Sequence, residues 1–270
     1  MSEETRSPPT TPVGDNERLA ERLADADGLL VATDFDGTLA PIFEDPETPT
    51  ITPANRRALI ALGERPDVAV AVVSGRRLAD LRSRVGIDAA RYVGNHGLEV
   101  AECDRVATHP AAEELRPALD RASAALEERI GDVPGVEIED KGATITVHYR
   151  RASPRRVEEV ASAVTGVVES VDGLRTTSGK QVAEIRPDVD RDKGSAVREL
   201  AADVPDGWRT VYVGDDTTDE DVFRVLDPEA GDAGVVVGDR ETDATHRVAD
   251  QRDVSRLLDW LATEALDDRP

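Results

Sequence analysis

Leu29-Leu30-Val31-Ala32-Thr33-Asp34-Phe35-Asp36-Gly37-Thr38 is the stretch from which the rest of the chain is read. Four consecutive apolar residues without polar alternation read as a strand buried on both faces. The run leads directly into two carboxylates two residues apart. On an extended backbone such side chains point the same way, so Asp34 and Asp36 share a side if the pleat persists. Gly37 lets the backbone turn and lets a ligand approach it closely. Asp-Gly is also an ordinary turn pair, so the surrounding sequence must decide between a turn and a site.

The pattern recurs along the chain. Pro53–Gly63 reads as a helix with Thr52 as its N-cap and a proline in its first turn. Val68–Val73 is a second buried strand, followed by Ser74-Gly75-Arg76 and a helix through about Val85. Tyr92-Val93-Gly94 opens a third strand. A helix from Lys193 to Ala202 precedes the strand Thr210–Val213, which runs into Gly214-Asp215-Asp216-Thr217-Thr218-Asp219-Glu220, and Ala233–Val237 reads as the last strand. Continuous apolar strands alternating with helices predict an α/β fold with a Rossmann-like parallel sheet. The middle differs: helix Ala111–Ile130, strands at 136–139 and 143–149, helix Pro154–Ser170, then a hairpin over 174–177 and 181–186. This is a smaller α+β domain inserted into the first. The expected layout is a disordered tail at 1–16, a core of 17–103 and 189–265, and an insert at 104–188.

Composition narrows the function. The 270 residues hold 56 Asp+Glu against 33 Lys+Arg, a formal charge of −23. Such a surface repels nucleic acid and anionic membranes. The longest apolar run, Val68–Val73, is far short of a membrane span. Met1–Asp15 has no apolar signal region, and the single Cys103 excludes an internal disulfide framework. A soluble cytoplasmic protein is expected. Lysine is scarce: Lys141, Lys180 and Lys193 are all there are. An acidic, lysine-poor surface suits high salt, where screening removes self-repulsion, so the expectation is a halophilic protein whose surviving lysines have tasks.

Those segments carry coherent chemistry. A serine hydroxyl and free backbone N–H groups beyond a strand can hold phosphoryl oxygens, although Ser74 could equally cap a helix. Lysine is a compact point charge for phosphate, and the oxygen-rich Asp215-Asp216 pair suits Mg²⁺. Acid pair, hydroxyl, lysine and acid cluster, in that order, resemble the haloacid dehalogenase (HAD) superfamily of Mg²⁺-dependent phosphotransferases. The resemblance implies that Asp34 is the nucleophile, forming an aspartyl-phosphate, and that Asp36 is general acid and then base. It implies Mg²⁺ held by Asp34, the Asp36 carbonyl and Asp215, with Asp216 beside it and Asp216 and Asp219 left unresolved between metal contact and support. Gly37, Thr38, Ser74, Gly75, Arg76 and Lys193 would bind the phosphoryl group.

Further motifs refine this. Asp34 through Ala40-Pro41, Asn95-His96-Gly97 with Glu99, His148-Tyr149-Arg150, Gly179-Lys180, Glu184-Ile185-Arg186-Pro187 and Gly214 through Asp221 are similar to trehalose-6-phosphate phosphatases over about residues 29–240. The resemblance implies hydrolysis of trehalose 6-phosphate in trehalose biosynthesis, a functional link to a trehalose-phosphate synthase, and an insert acting as a cap that reads the sugar. Glu184 and Lys180 lead as sugar-binding candidates, with Asn95, His96 and Lys141 behind. Some family members carry a large glycosyltransferase domain; here a free-standing phosphatase is expected. The core motifs do not separate trehalose 6-phosphate from sucrose 6-phosphate, a mannosyl-glycerate phosphate or a hexose phosphate. A non-catalytic sugar-phosphate sensor would be expected to lack the acids that this chain retains, and nothing requires a phosphomutase. His109 and His246 have no motif around them and are expected at the surface.

Overall fold

A computed structural model describes residues 16–42, 49–103, 105–179 and 181–265. Most of the expected tail, and Lys180, lie outside the described residues. The chain divides into two compact units, one of 1–105 with 191–270 and one of 106–190.

The elements in order are α1 (Asn16–Leu23), β1 (Gly28–Thr33), α2 (Pro53–Gly63), β2 (Val68–Val73), α3 (Leu78–Val85), β3 (Ala90–Gly94), β4 (Glu99–Glu102) and β5 (Arg105–Thr108). Then come α4 (Pro110–Glu114), α5 (Arg116–Ile130), β6 (Glu137–Asp140), β7 (Ile145–His148), α6 (Pro154–Glu169), β8 (Leu174–Gly179) and β9 (Val182–Pro187). The chain ends with α7 (Lys193–Ala202), β10 (Trp208–Gly214), α8 (Glu220–Phe223), β11 (Ala233–Val237), β12 (His246–Val248) and α9 (Gln251–Thr263).

In the first unit the sheet runs β12-β11-β10-β1-β2-β3-β4. The six strands from β12 to β3 are parallel, and β4 runs antiparallel to β3. Both faces are covered, as a parallel sheet requires. Leu29, Val31, Val70 and Val72 pack toward α2 and α9, while Leu30, Ala32, Ala71 and Val73 pack toward α7. Because β1 lies between β2 and β10, successive connections leave it in opposite directions. Ligands collect beyond the carboxyl ends of strands at such a point.

The second unit has the antiparallel order β6-β7-β9-β8. Ile145, Val147, Ala183 and Ile185 face α5 and α6 in an apolar core. The alternate residues Thr146, Glu184 and Arg186 take the opposite face, as strand alternation dictates.

Several expectations need correction. The helix expected over 111–130 is two helices, because Pro117 stands in the first turn of α5 and supplies no N–H to continue α4. Ala233–Val237 is not the last strand: β12 follows, too short to show in periodicity, and then α9. His246 is buried at 3% exposure, with its Nδ1 2.8 Å from the Thr245 hydroxyl, because β12 completes the sheet rather than lying on the surface. His109, half-buried, caps α4 through the Ala111 N–H. Cys103 is exposed at a positive φ of 52° in the turn after β4.

Candidate active site

The ends of three neighbouring strands supply the acids and the hydroxyl. Asp34 follows β1, Ser74 follows β2 and Asp215 follows β10. The Asp34 N–H donates to the Val213 carbonyl at 2.8 Å, so β10 fixes where the acid leaves the sheet. Lys193 is the first residue of α7, whose N-cap Asp192 forms a reciprocal pair of hydrogen bonds with Ser195. Two residues earlier, buried Arg191 donates to the Gly97 carbonyl at 2.7 Å, tying the start of α7 to the turn after β3.

A buried ionic cluster results. The Lys193 Nζ lies 2.8 Å from Asp34 Oδ1 and 2.8 Å from Asp219 Oδ1. Lys193 and Asp34 are 3% and 4% exposed, and Asp219 is fully buried. The Tyr212 hydroxyl donates to the same Asp219 oxygen at 2.6 Å, and the Asp216 N–H donates to Asp219 Oδ2 at 2.8 Å. Asp219 therefore accepts on both oxygens and holds the lysine in place. Asp216 points elsewhere: it is exposed and caps a single turn at Thr217–Asp219 through the Thr217 N–H. The acid gathered with Asp34 and Asp215 is Asp219. The reason is local, since a residue starting a tight turn spends its carboxylate on the turn's own N–H groups.

Ligand-site oxygens of Asp34, Asp215 and Asp219 lie within 4.8 Å of one another. Burial pushes the Asp34 carboxyl well above the usual range, Lys193 works against this, and Asp219 and Asp215 add to it. Burial, and then Asp219, push Asp215 up to about 7. Burial works to lower the Lys193 ammonium, but Asp219 and Asp34 outweigh it and hold it above its ordinary value. Three carboxylates thus face one ammonium in a water-poor setting. A hard divalent cation fits this all-oxygen set and its uncompensated negative charge.

This has a consequence for pH. Asp34 and Asp215 bind protons more tightly in the folded chain than in the unfolded one. Between about pH 4, the ordinary aspartate value, and pH 7, the value of folded Asp215, the folded state holds the extra protons. These two groups therefore weaken the fold as pH rises through that window. Protons and metal compete for the same oxygens. In EDTA-stripped protein, adding Mg²⁺ is expected to raise Tm more at pH 8 than at pH 5, as read by scanning calorimetry. An equal rise at both values would remove these carboxylates from metal binding.

Around this cluster the other expected residues divide. The Thr38 hydroxyl donates to Asp215 Oδ1 at 3.2 Å. Gly37 has φ 81°, and a Cβ there would fall 2.1 Å from Asp215 Oδ2, so glycine is required twice over. Its N–H is turned onto the Ala40 carbonyl at 2.8 Å and serves the turn itself. Arg76, expected on phosphate, instead forks onto both oxygens of Asp36 at 2.7 Å, reaches Asp80 at 3.0 Å and lies over the Phe35 ring. Asp80 is gripped in turn by Arg84. Asp80, in the first turn of α3, draws the guanidinium to that side.

Ser74 is 2% exposed, and its hydroxyl accepts the Arg76 N–H at 3.2 Å; α3 is met at its start by Glu99, not by Ser74. His96 packs against Gly75, where a Cβ would come within 2.3 Å of the ring. Asn95 is fully buried, and its amide donates to Glu99 at 2.5 Å. Asn95 and His96 both take positive φ, 48° and 53°, and asparagine adopts that region more readily than most.

In the second unit, half-buried Lys141 occupies the turn between β6 and β7, its N–H on the Thr144 carbonyl at 2.9 Å. Glu184 pairs across strands with Thr146 and Thr177 on the polar face. His148 Nε2 lies 2.9 Å from Glu139 on the same face.

The sequence model of the trehalose-phosphatase family matches residues 32–255. The chain belongs to this family. It is 38% identical over 263 residues to a trehalose-phosphate phosphatase of Mycobacterium marinum, across 90% of this chain and 65% of that one. A probable trehalose-phosphate phosphatase 9 of Oryza sativa subsp. japonica is 35% identical over 264 residues, across 87% and 70%. The chain spans about 65% of the length of the mycobacterial relative. The C-terminal domain of a C. albicans trehalose-6-phosphate phosphatase shares the fold, with a TM-score of 0.77 at 24% identity, covering 95% of this chain and 99% of that one. The match to trehalose-phosphatases thus spans both the acid-bearing strand ends and the inserted unit, and the α/β fold with a Rossmann-like parallel sheet expected from the sequence is the observed one.

Proposed function

We propose that this chain hydrolyses trehalose 6-phosphate to trehalose and phosphate through an aspartyl-phosphate on Asp34. The observation that carries the reading is the buried Asp34–Lys193 contact at 2.8 Å, beyond the switch-point strand of a trehalose-phosphatase family member. Lys193 restrains Asp34 in one orientation and offers its ammonium to the equatorial oxygens of the phosphoryl group. Attack by an Asp34 oxygen forms the O–P bond as the sugar oxygen leaves. Asp36 gives that oxygen a proton, then takes one from the water that cleaves the acyl phosphate. Ser74 and Thr38 hold phosphoryl oxygens. Asp34, the Asp36 carbonyl and Asp215 would hold Mg²⁺, which neutralises charge between an anionic nucleophile and an anionic substrate. Arg76 keeps Asp36 aimed, with Asp80 behind it.

The inserted unit, 106–190, is proposed to determine which sugar is accepted. Its polar sheet face supports this: Glu184, Thr146, Glu139 and His148 offer the charged and hydroxyl partners that a disaccharide requires, and a polar pocket rejects ligands that leave such groups unpaired. Lys141 adds a cation at one hairpin turn. We place the reaction in the cytoplasm, downstream of a trehalose-phosphate synthase. Among the described residues, no helix is long and apolar enough to cross a membrane.

Glu184→Ala separates substrate reading from chemistry. On trehalose 6-phosphate, kcat/KM is expected to fall about 10- to 100-fold, the loss of one charge-assisted hydrogen bond. On p-nitrophenyl phosphate, which has no sugar, it stays within about 3-fold on the same grounds. Equal losses on both substrates would remove Glu184 as a sugar contact.

A further inference from the structure

Gly37 separates Asp36 from Thr38, and glycine by itself tolerates a wide range of backbone angles. A freely turning Gly37 would let the general acid and the hydroxyl drift from Asp34 and Asp215. The structure removes that freedom from both sides. The peptide before Gly37 is held through its N–H, which donates to the Ala40 carbonyl at 2.8 Å. The peptide after it is held through its carbonyl, which accepts from Gln251 Nε2 at 2.6 Å. Each peptide is planar and trans, so fixing one end fixes the other. The first bond directs the Asp36 carbonyl, and the second directs the Thr38 N–H.

Gln251 comes from the first turn of α9, more than two hundred residues away in sequence, and α9 does not need its side chain there. Asp250 already caps that helix, accepting from the Arg252 and Asp253 N–H groups. Behind Gln251 the contact continues. The Ser255 hydroxyl lies 3.1 Å from the main-chain carbonyl of Gln251, one turn back in α9, and 2.7 Å from Asn55 Oδ1. Asn55, fully buried in the first turn of α2, donates its amide to the carbonyls of Leu39 at 2.9 Å and Thr38 at 3.4 Å. Three successive carbonyls, from Gly37 to Leu39, are therefore held by side-chain amides from two helices.

We infer that Gln251 is a positioning residue for the phosphoryl-transfer reaction, locking the Gly37 peptide so that Asp36 and Thr38 stay registered against Asp34 and Asp215, with Ser255 and Asn55 bracing it. The inference rests on the phosphatase reading above. It adds α9, which no strand-end motif includes, to the machinery that shapes the site.

Gln251→Met keeps the side chain's length and removes its donor. Gln251 is only half-buried, so the core is not disturbed. The Mg²⁺-loaded full chain is assayed on trehalose 6-phosphate and on p-nitrophenyl phosphate. On both, kcat is expected to fall about 10- to 100-fold with KM within about 3-fold, the size of effect that a misplacement near 1 Å produces. Inhibition by vanadate, which mimics the transferring group, weakens in step with kcat, while inhibition by inorganic phosphate changes little and Tm stays within a few degrees. Ser255→Ala, which leaves Gln251 in place, lowers kcat less and in the same pattern. The inference is overturned if Gln251→Met retains wild-type kcat, or if activity falls while vanadate binds as tightly as before. Wild-type protein that releases no phosphate from either substrate overturns the phosphatase reading, and this inference with it.

Discussion

Asp34→Asn is expected to abolish phosphate release, a loss of about 10⁴-fold or more and thus on the order of 5 kcal/mol in the barrier. The amide has nearly the shape of the carboxylate but cannot form an acyl phosphate. The fold should survive. Burial and the neighbouring Asp219 and Asp215 disfavour the charged form of Asp34, so removing that charge relieves the crowd they form. Lys193 keeps Asp219 as a partner at 2.8 Å. Tm in EDTA is therefore expected to stay level or rise while kcat vanishes. A variant that keeps more than a few per cent of turnover would dismiss Asp34 as nucleophile.

Lys193→Met should damage both fold and activity. The ammonium is the cation shared by Asp34 and Asp219 in a site that is almost wholly buried. Breaking a buried ion pair from one side typically costs about 3–5 kcal/mol, because the remaining charge is left unpaired. In the variant the carboxylates rise further above their unfolded values. The lost stability is then largest above neutrality and is partly regained as pH falls toward 5, where protons replace the missing charge. Denaturant midpoints at pH 5 and pH 8 measure this. Turnover should fall about 10³-fold or more, the scale of losing a preorganised group facing developing charge. A destabilisation independent of pH would mean that Lys193 matters as packing and not as counter-charge.

The parts of the site that the sequence revealed are those that one rule places. Asp34, Ser74 and Asp215 each follow an apolar run, and strand ends in a parallel sheet converge, so their meeting was legible without coordinates. Lys193 stood out because a lysine-poor chain kept it at a helix start. What spacing does not encode is the direction in which a side chain turns. Arg76 turns toward Asp36 because Asp80 and Arg84 shape the first turns of α3. Tyr212 reads as one more apolar strand residue, yet its hydroxyl reaches Asp219. Asp219 looked like a third acid in a row, and only the turn begun by Asp216 swings it onto Lys193. Gln251 opens a helix beyond the last motif, where sequence gave no reason to look. The helix break at Pro117 was readable from proline chemistry; β12, three residues long, left no periodicity to read.

The most direct measurement is phosphate release by the wild-type chain from trehalose, sucrose, glucose and mannosyl-glycerate phosphates, each with Mg²⁺ and with EDTA. Strong preference for trehalose 6-phosphate, lost in EDTA, is the predicted result. Mg²⁺-dependent release with no preference among the sugars would contradict the substrate assignment, and release undiminished by EDTA would contradict the chemistry proposed for Asp34 and its neighbours.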